Sequence, residues 1–390
     1  MGVVEGHCDA RFARLREIFE KSFADGEEIG AAIAFCLDGE MVVDLWGGHR
    51  DRERRVPWTR DTLVNTYSTT KGMTAICAHQ LVERGLLDLD APVARYWPEF
   101  AAQGKDSIPV RWLLSHQAGL PAVRSPLPAD AIFDWAAMAS ALAAQEPWWE
   151  PGTRHGYHAM TFGFLVGELI RRVSGQRVGA YFRDHVAGPL GVDYHIGLAV
   201  EHDARTSDLF GSLAPPSGGP EIPGPLGAFL RDMTDPSTMA GAAFGNPPAR
   251  EDRVNTRAWR AAEIPAANGH GTAAALARIY GTLARGGELD GVRLLEPASI
   301  DQARSEQAFG PDAVLGGLPM RFGLGFMLRQ DFMPISPNAG AFGHPGAGGS
   351  IGMADPDAKV GFGYVMNKMK LGMVGGPGAF KVLNEFYRLI

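Results

Sequence analysis

Cysteine and lysine are both scarce in this chain of 390 residues, and no long apolar run crosses it. The three cysteines, Cys8, Cys36 and Cys77, are odd in number and lack metal-type spacing, which argues against a disulfide framework or a zinc site. Cys36 and Cys77 fall in apolar stretches and read as small core residues. No segment approaches the roughly 18 uninterrupted apolar residues of a membrane span. The opening residues, Met1-Gly2-Val3-Val4-Glu5-Gly6 and then Arg11, Arg14 and Arg16, contain no secretory apolar block. A net charge of −7 with 21% charged residues speaks against disorder and against a nucleic-acid-binding face. The expectation is a soluble cytoplasmic protein with neither a membrane nor a nucleic-acid partner.

What is present starts with one of the seven lysines. Lys71 closes Ser68-Thr69-Thr70-Lys71, ahead of Gly72 and an apolar helical run. Residues three apart share one face of a helix, so a hydroxyl and an amine are brought side by side. Serine is a poor nucleophile until a base takes its proton, and a partly buried lysine is such a base once desolvation lowers its pKa. The backbone N–H of Ser68, at a helix start, points where an oxyanion would form. Chance pairing of the 15 serines and seven lysines gives this spacing roughly 0.3 times, and it occurs once. Spacing alone does not separate a catalytic pair from a capping serine and a solvated lysine.

Periodicity sets the surroundings. Residues 8–24 show helical spacing, with Phe12, Leu15, Ile18, Phe19 and Phe23 in one stripe. Ile29–Leu37 and Met41–Trp46 flank Asp38-Gly39 and read as a hairpin. Helices are expected over Ala131–Gln145, capped by Asp130, and over Thr161–Val173, stopped by Gly175. Another spans Thr272–Ala284 and a closing one Ala379–Leu389. Phe322–Leu328, Ser350–Ala354 and Val360–Asn367 read as strands. Residues 214–250 are rich in proline and glycine and suggest a long loop serving as a pocket wall.

Strands at both ends with helices between predict an α+β fold. One antiparallel sheet, flanked by helices, would be built from residues 1–66 and 262–390. A mainly helical domain, 67–261, would be inserted between them, carrying the 214–250 loop.

A serine–lysine pair needs a proton carrier and a second oxyanion donor. Tyr157, in Pro151-Gly152-Thr153-Arg154-His155-Gly156-Tyr157-His158, is the candidate carrier, with neighbouring cations expected to lower its pKa. Gly343-His344-Pro345-Gly346-Ala347-Gly348-Gly349-Ser350 is the candidate oxyanion segment, since its glycines allow close backbone approach. Each alone has a plain packing explanation.

Together with Leu113-Leu114-Ser115-His116-Gln117-Ala118-Gly119-Leu120 and Asn268-Gly269-His270-Gly271-Thr272, these segments stand in a recognisable order. The chain resembles the serine β-lactamase and penicillin-binding-protein superfamily, class C β-lactamase-like, and within it the family VIII carboxylesterases, over about residues 25–370. The resemblance implies Ser68 as acyl-forming nucleophile, Lys71 as general base, and Tyr157 as the tyrosine of a Tyr-x-Asn element. It also implies an oxyanion hole made by the N–H groups of Ser68 and Ala347. Two positions depart from the lactamase pattern: Ala159 replaces the asparagine, and His344-Pro345-Gly346 replaces Lys-Thr-Gly. The lost amide and lost cation disfavour β-lactam hydrolysis, whereas ester hydrolysis needs neither.

The sequence therefore predicts a serine carboxylesterase for short-chain esters, working through an acyl-enzyme without metal or organic cofactor. A β-lactamase or D-amino-peptide hydrolase is the alternative, and a non-catalytic binding or scaffolding member of the fold the next. His344, as a donor to a substrate oxygen, Gly346, Trp148 and Trp149 are expected at the substrate, with one tryptophan packing and the other walling the pocket. Gly348-Gly349-Ser350-Ile351-Gly352 imitates a nucleophile elbow. It enters a strand, however, and no histidine follows it, so Ser350 is expected to be structural.

Overall fold

The computed structural model describes residues 4–211, 222–248, 253–370 and 376–390. Among the described residues, nine antiparallel strands form the main sheet. From one edge they run Glu5–Cys8, Glu40–Gly48, Gly30–Leu37, Val360–Met366, Ile351–Asp355, Phe342–Pro345, Met327–Leu328, Pro319–Phe322 and Ala308–Pro311. The two ends of the chain meet where Leu37 pairs with Val360 and Ala31 with Met366. This is the expected α+β sheet assembled from both ends.

The run Gly30–Leu37 is apolar throughout because both its faces are covered. Ala31, Ile33 and Phe35 face the helices Ala13–Ala24 and Pro377–Leu389. There Phe35 stacks on Phe386 at 4.1 Å and meets Phe362 at 4.5 Å. Ala32, Ala34 and Cys36 face the opposite way, against the helix Ala273–Ala284. That helix lies so close that a Cβ on Gly361 would come 2.1 Å from the Gly281 nitrogen. Glycine at both positions is what permits the contact.

Several boundaries differ from expectation. Residues Glu5–Cys8 are an edge strand on Glu40–Gly48, and the α-helix begins only at Ala13; sheet pairing outweighs the local helical spacing. Asp134, not Asp130, caps the helix Trp135–Ala144, accepting the Ala137 N–H at 3.1 Å after a separate 3-10 turn. The expected strand Phe322–Leu328 is two strands of a hairpin, with Phe322 opposite Met327 and Gly325 in the left-handed region between them. Within 214–250 the described residues form helices Gly224–Asp232 and Met239–Gly245 rather than a plain loop; residues 212–221 and 249–252 lie outside the described residues. Among the described residues no helix is long and apolar enough to cross a membrane.

A small four-stranded sheet, ordered Tyr194–Ile196, Gly269–Gly271, Leu63–Asn65, Thr206–Ser207, delivers the chain to Ser68. The N–H of Thr66 donates to the Gly269 carbonyl at 2.8 Å, and Tyr67 then turns at φ +44. A non-glycine residue in that region marks a constrained backbone next to a site. The helix Thr70–Glu83 follows, buried from Thr70 to Leu81 and packed on Thr161–Ser174, so it is an inner helix rather than one with a single apolar face.

Candidate active site

Ser68 occupies the turn just before this helix, half-buried, while Lys71 is wholly buried in its first turn. Lys71 Nζ lies 3.2 Å from Ser68 Oγ, 2.7 Å from the Ala159 carbonyl and 3.0 Å from the Ala266 carbonyl. These three contacts fix the proton inventory. Burial holds the amine well below its ordinary pKa, and no carboxylate among its contacts opposes that. A neutral amine has two N–H bonds and one lone pair. Carbonyl oxygens can only accept, so Ala159 and Ala266 take the two N–H bonds and the lone pair is left for the Ser68 hydroxyl.

Tyr157 is buried, with its ring centroid 4.8 Å from Lys71 Nζ. Burial pushes its phenol up, with an opposing hydrogen-bond contribution from Ser68. The lowering expected from neighbouring cations is therefore overturned: the nearby amine is itself neutral, and the phenol stays protonated at neutral pH. Tyr157 can relay a proton through its O–H, but it is not a standing phenolate.

The turn after the strand Phe342–Pro345 closes on the other side. A Cβ on Gly346 would lie 2.1 Å from the Thr66 carbonyl oxygen and 2.2 Å from Ser350 Oγ, so only glycine fits. Ser350 donates to that same carbonyl at 2.7 Å and lies 3.3 Å from Thr69 Oγ1, the structural place expected for it. Ala347 is buried at the head of the next turn. Among the described residues, no acceptor takes the backbone N–H of Ser68 or of Ala347.

His344 is buried, its Nδ1 donating to the Pro345 carbonyl at 2.7 Å. Burial pushes its pKa down to about 3. With Nδ1 carrying the only proton, Nε2 is a bare acceptor, and among the described residues it has no hydrogen-bond partner. The donor role expected of His344 is reversed.

Trp149 is the packed tryptophan, buried with its ring edge-on to His158 at 6.1 Å. Trp148 is half-buried, bonds the Ala122 carbonyl at 2.9 Å through its indole N–H, and lies against the apolar cluster around Tyr157. Leu226 and Phe229 of the helix Gly224–Asp232 join that cluster.

Sequence reasoning missed the carbonyls of Ala159 and Ala266, because a backbone acceptor leaves no mark on residue type. It also missed Asp312, whose Oδ1 accepts the Tyr157 N–H at 3.1 Å. A proline-aspartate turn between apolar residues was the one available signal.

The fold and the serine–lysine geometry agree with a family assignment. Residues 15–382 match the family model described as Beta-lactamase, and the chain belongs to that family. Among curated proteins it is 38% identical over 375 residues to an esterase/beta-lactamase, LipL, of Mycobacterium tuberculosis, covering 94% of this chain and 83% of that one. A crystal structure of a family VIII carboxylesterase superposes with a TM-score of 0.90 at 41% identity, over 100% of both chains. A penicillin-binding-protein homologue from Caulobacter crescentus gives 0.89 at 42% identity, again over 100% of both.

Proposed function

We propose that this chain is a serine carboxylesterase that hydrolyses short-chain carboxylic esters through an acyl-enzyme on Ser68. The observation that carries the reading is the buried Lys71 amine, with both N–H bonds committed to carbonyls and its lone pair facing the Ser68 hydroxyl. The similarity to an esterase/beta-lactamase and to a family VIII carboxylesterase supports a serine hydrolase acting on esters.

In the reaction, Ser68 Oγ attacks the ester carbonyl as its proton passes to Lys71 Nζ. The oxyanion is received by the N–H groups of Ser68 and Ala347. Tyr157 relays the proton to the departing alkoxide, which leaves as the alcohol. Water then attacks the acyl carbon, gives up its proton through the same relay, and releases the acid and Ser68. No step calls on a metal or organic cofactor.

A β-lactamase or D-amino-peptide hydrolase activity is the second reading, favoured by the double name of the mycobacterial relative. Against it stand Ala159, which offers no side-chain amide, and His344, which is neutral. A non-catalytic role is opposed by the intact contact between Ser68 and Lys71.

Hydrolysis of a short-chain nitrophenyl ester by Ser68→Ala tests the proposal. Activity is expected to fall by about four or more powers of ten. Labelling by an active-site phosphonate is expected in the wild type and lost in the variant. Unchanged turnover in Ser68→Ala sinks the assignment.

A further inference from the structure

Two hydrogen-bond donors are stranded beside the turn that presents Ser68. Arg253 Nε and the indole nitrogen of Trp259 are both buried, and neither has an acceptor among the described residues. The Arg253 guanidinium lies over the Trp259 ring, 5.2 Å from its centroid. Trp259, on the short helix Arg257–Ala261, is 1% exposed, whereas Arg253 is only half-buried. Both groups donate and neither accepts, so an acceptor is what the pair lacks. A buried donor left unmatched is rare in a folded protein and marks the place of a missing group.

Two series of contacts tie this pair to the reacting centre. On one side the Trp259 carbonyl accepts from Asn268 Nδ2 at 2.8 Å, and the Asn268 backbone bridges to Tyr67, the residue before Ser68. Burial pushes the Tyr67 phenol up to about 12, and the Arg253 charge opposes that rise, so the phenol lies within the field of the guanidinium. On the other side Asn255 holds Leu209 twice, taking its N–H at 2.8 Å and donating to its carbonyl at 3.0 Å. The Phe210 carbonyl then receives the Met369 N–H at 2.7 Å. Met369 covers Gly348, where a Cβ would meet its side chain at 2.8 Å, directly after Ala347. The Arg253–Asn255 turn is thus fastened both to the nucleophile turn and to the oxyanion turn. Tyr67, Ser68 and Arg253 are all partly exposed.

The positive charge at this rim is uncompensated. Asp203 is engaged by Arg257 and Arg260, and Asp208 by Arg260. Among the described residues Arg253 reaches only the Pro248 carbonyl, at 3.4 Å. Arg52, exposed, lies over the Phe210 ring at 5.4 Å and adds a second cation on the same side. A guanidinium is charged at every working pH, and its planar fork matches a carboxylate.

We propose that Arg253 and Trp259 form an anion subsite beside Ser68 that recognises a carboxylate carried by the ester, so that the preferred substrates are short esters bearing a second, ionised acid group. The proposal rests on the reading of Ser68 as the acylated residue.

Two ester series test it, according to which part of the substrate carries the charge. Nitrophenyl half-esters of succinic to suberic acid are compared with neutral monoesters of the same length, and the butyryl ester of hydroxybenzoate with that of hydroxybenzamide. In at least one series the wild type is expected to favour the charged ester by roughly tenfold or more in kcat/KM. That ratio should shrink as sodium chloride is raised, a readout that needs no variant. Arg253→Gln is expected to bring the ratio close to one, Arg253→Lys to leave it intermediate, and Trp259→Phe to reduce it. A purely structural role would slow charged and neutral esters alike and leave the ratio intact. No preference in either series, or an unchanged ratio in Arg253→Gln, overturns the proposal. Calorimetric binding of monomethyl adipate and of the hydroxybenzoate ester to Ser68→Ala, with and without Arg253→Gln, separates this claim from the esterase reading because it needs no turnover. Binding weakened roughly tenfold by the arginine change upholds the subsite even if Ser68 is not the nucleophile. Equal binding, or none of either anion, defeats it.

Discussion

The Ser350 hydroxyl donates to the carbonyl of Thr66 at 2.7 Å, tying the turn after the last-but-two strand of the main sheet to the turn that presents Ser68. Two segments 284 residues apart in sequence are thus pinned at the point where an oxyanion would be held. Ser350 imitates a nucleophile in its local motif, but its oxygen is spent on this bond.

That bond gives a first prediction. A net hydrogen bond contributes about 1 kcal/mol, so Ser350→Ala is expected to lower kcat by no more than about tenfold. Nitrophenyl-ester kinetics and phosphonate labelling check it. A loss as deep as that of Ser68→Ala would return Ser350 to the list of nucleophiles.

Lys71 sets the acid limb. The amine must be neutral to accept the Ser68 proton, and burial holds its folded pKa well below the ordinary lysine range. As pH falls through that depressed pKa, Lys71 binds a proton and kcat/KM is lost; as pH rises above it, activity is retained. The sign for stability is the same. Between the folded and the ordinary pKa the unfolded chain binds the extra proton, so stability rises with pH across that window. Lys71→Ala is expected to cost roughly three powers of ten in kcat and to erase the acid limb in a pH–rate profile.

Gly346→Ala is a test of the seam itself. Its methyl group would overlap the Thr66 carbonyl and the Ser350 hydroxyl at 2.1 and 2.2 Å. Relief requires backbone to move, which separates the Ala347 N–H from Ser68. The expected result is a roughly 100-fold fall in kcat. Overpacking of this kind should also cost about 1–3 kcal/mol of stability. Single-turnover acylation and denaturant unfolding measure the two effects; wild-type values for both would contradict the geometry.

His344 should be silent in the neutral pH range. With its pKa at about 3, it does not change charge between pH 5 and 8. His344→Asn is expected to change the height of the kcat/KM profile but not the position of its limbs. A limb that vanishes with the imidazole would show that His344 titrates during catalysis.

The two kinds of sequence signal fared differently for identifiable reasons. The helix Thr161–Ser174 was readable because its buried stripe and its stop, Gly175 at φ +72, are both local. The hairpin Gly30–Gly48 was readable for the same reason, an apolar run on each side of Asp38-Gly39. Glu5–Cys8 was not, because its strand character comes from pairing with residues some 40 positions away and not from its own exposed side chains. The helix expected from Ala131 broke because the extended backbone of Asp134 offers a better cap within it. At the candidate site, Ser68, Lys71 and Tyr157 were legible as residue types in an ordered set. The carbonyls of Ala159 and Ala266, which take the N–H bonds of Lys71, were not. His344 was found and given the wrong hydrogen-bond sense, since tautomer depends on the Pro345 carbonyl beside it.

The pairing of Gly30–Leu37 with Val360–Met366 has a consequence for how the chain matures. During synthesis the first of these strands emerges with one side matched by its hairpin partner. Its other side stays bare until roughly 300 more residues have left the ribosome. For that interval an alanine-, isoleucine- and phenylalanine-rich ribbon is a template for any passing strand, the hazard that holdase chaperones intercept. Yield in a cell should therefore be governed more by how this waiting edge is guarded than by the robustness of the finished molecule.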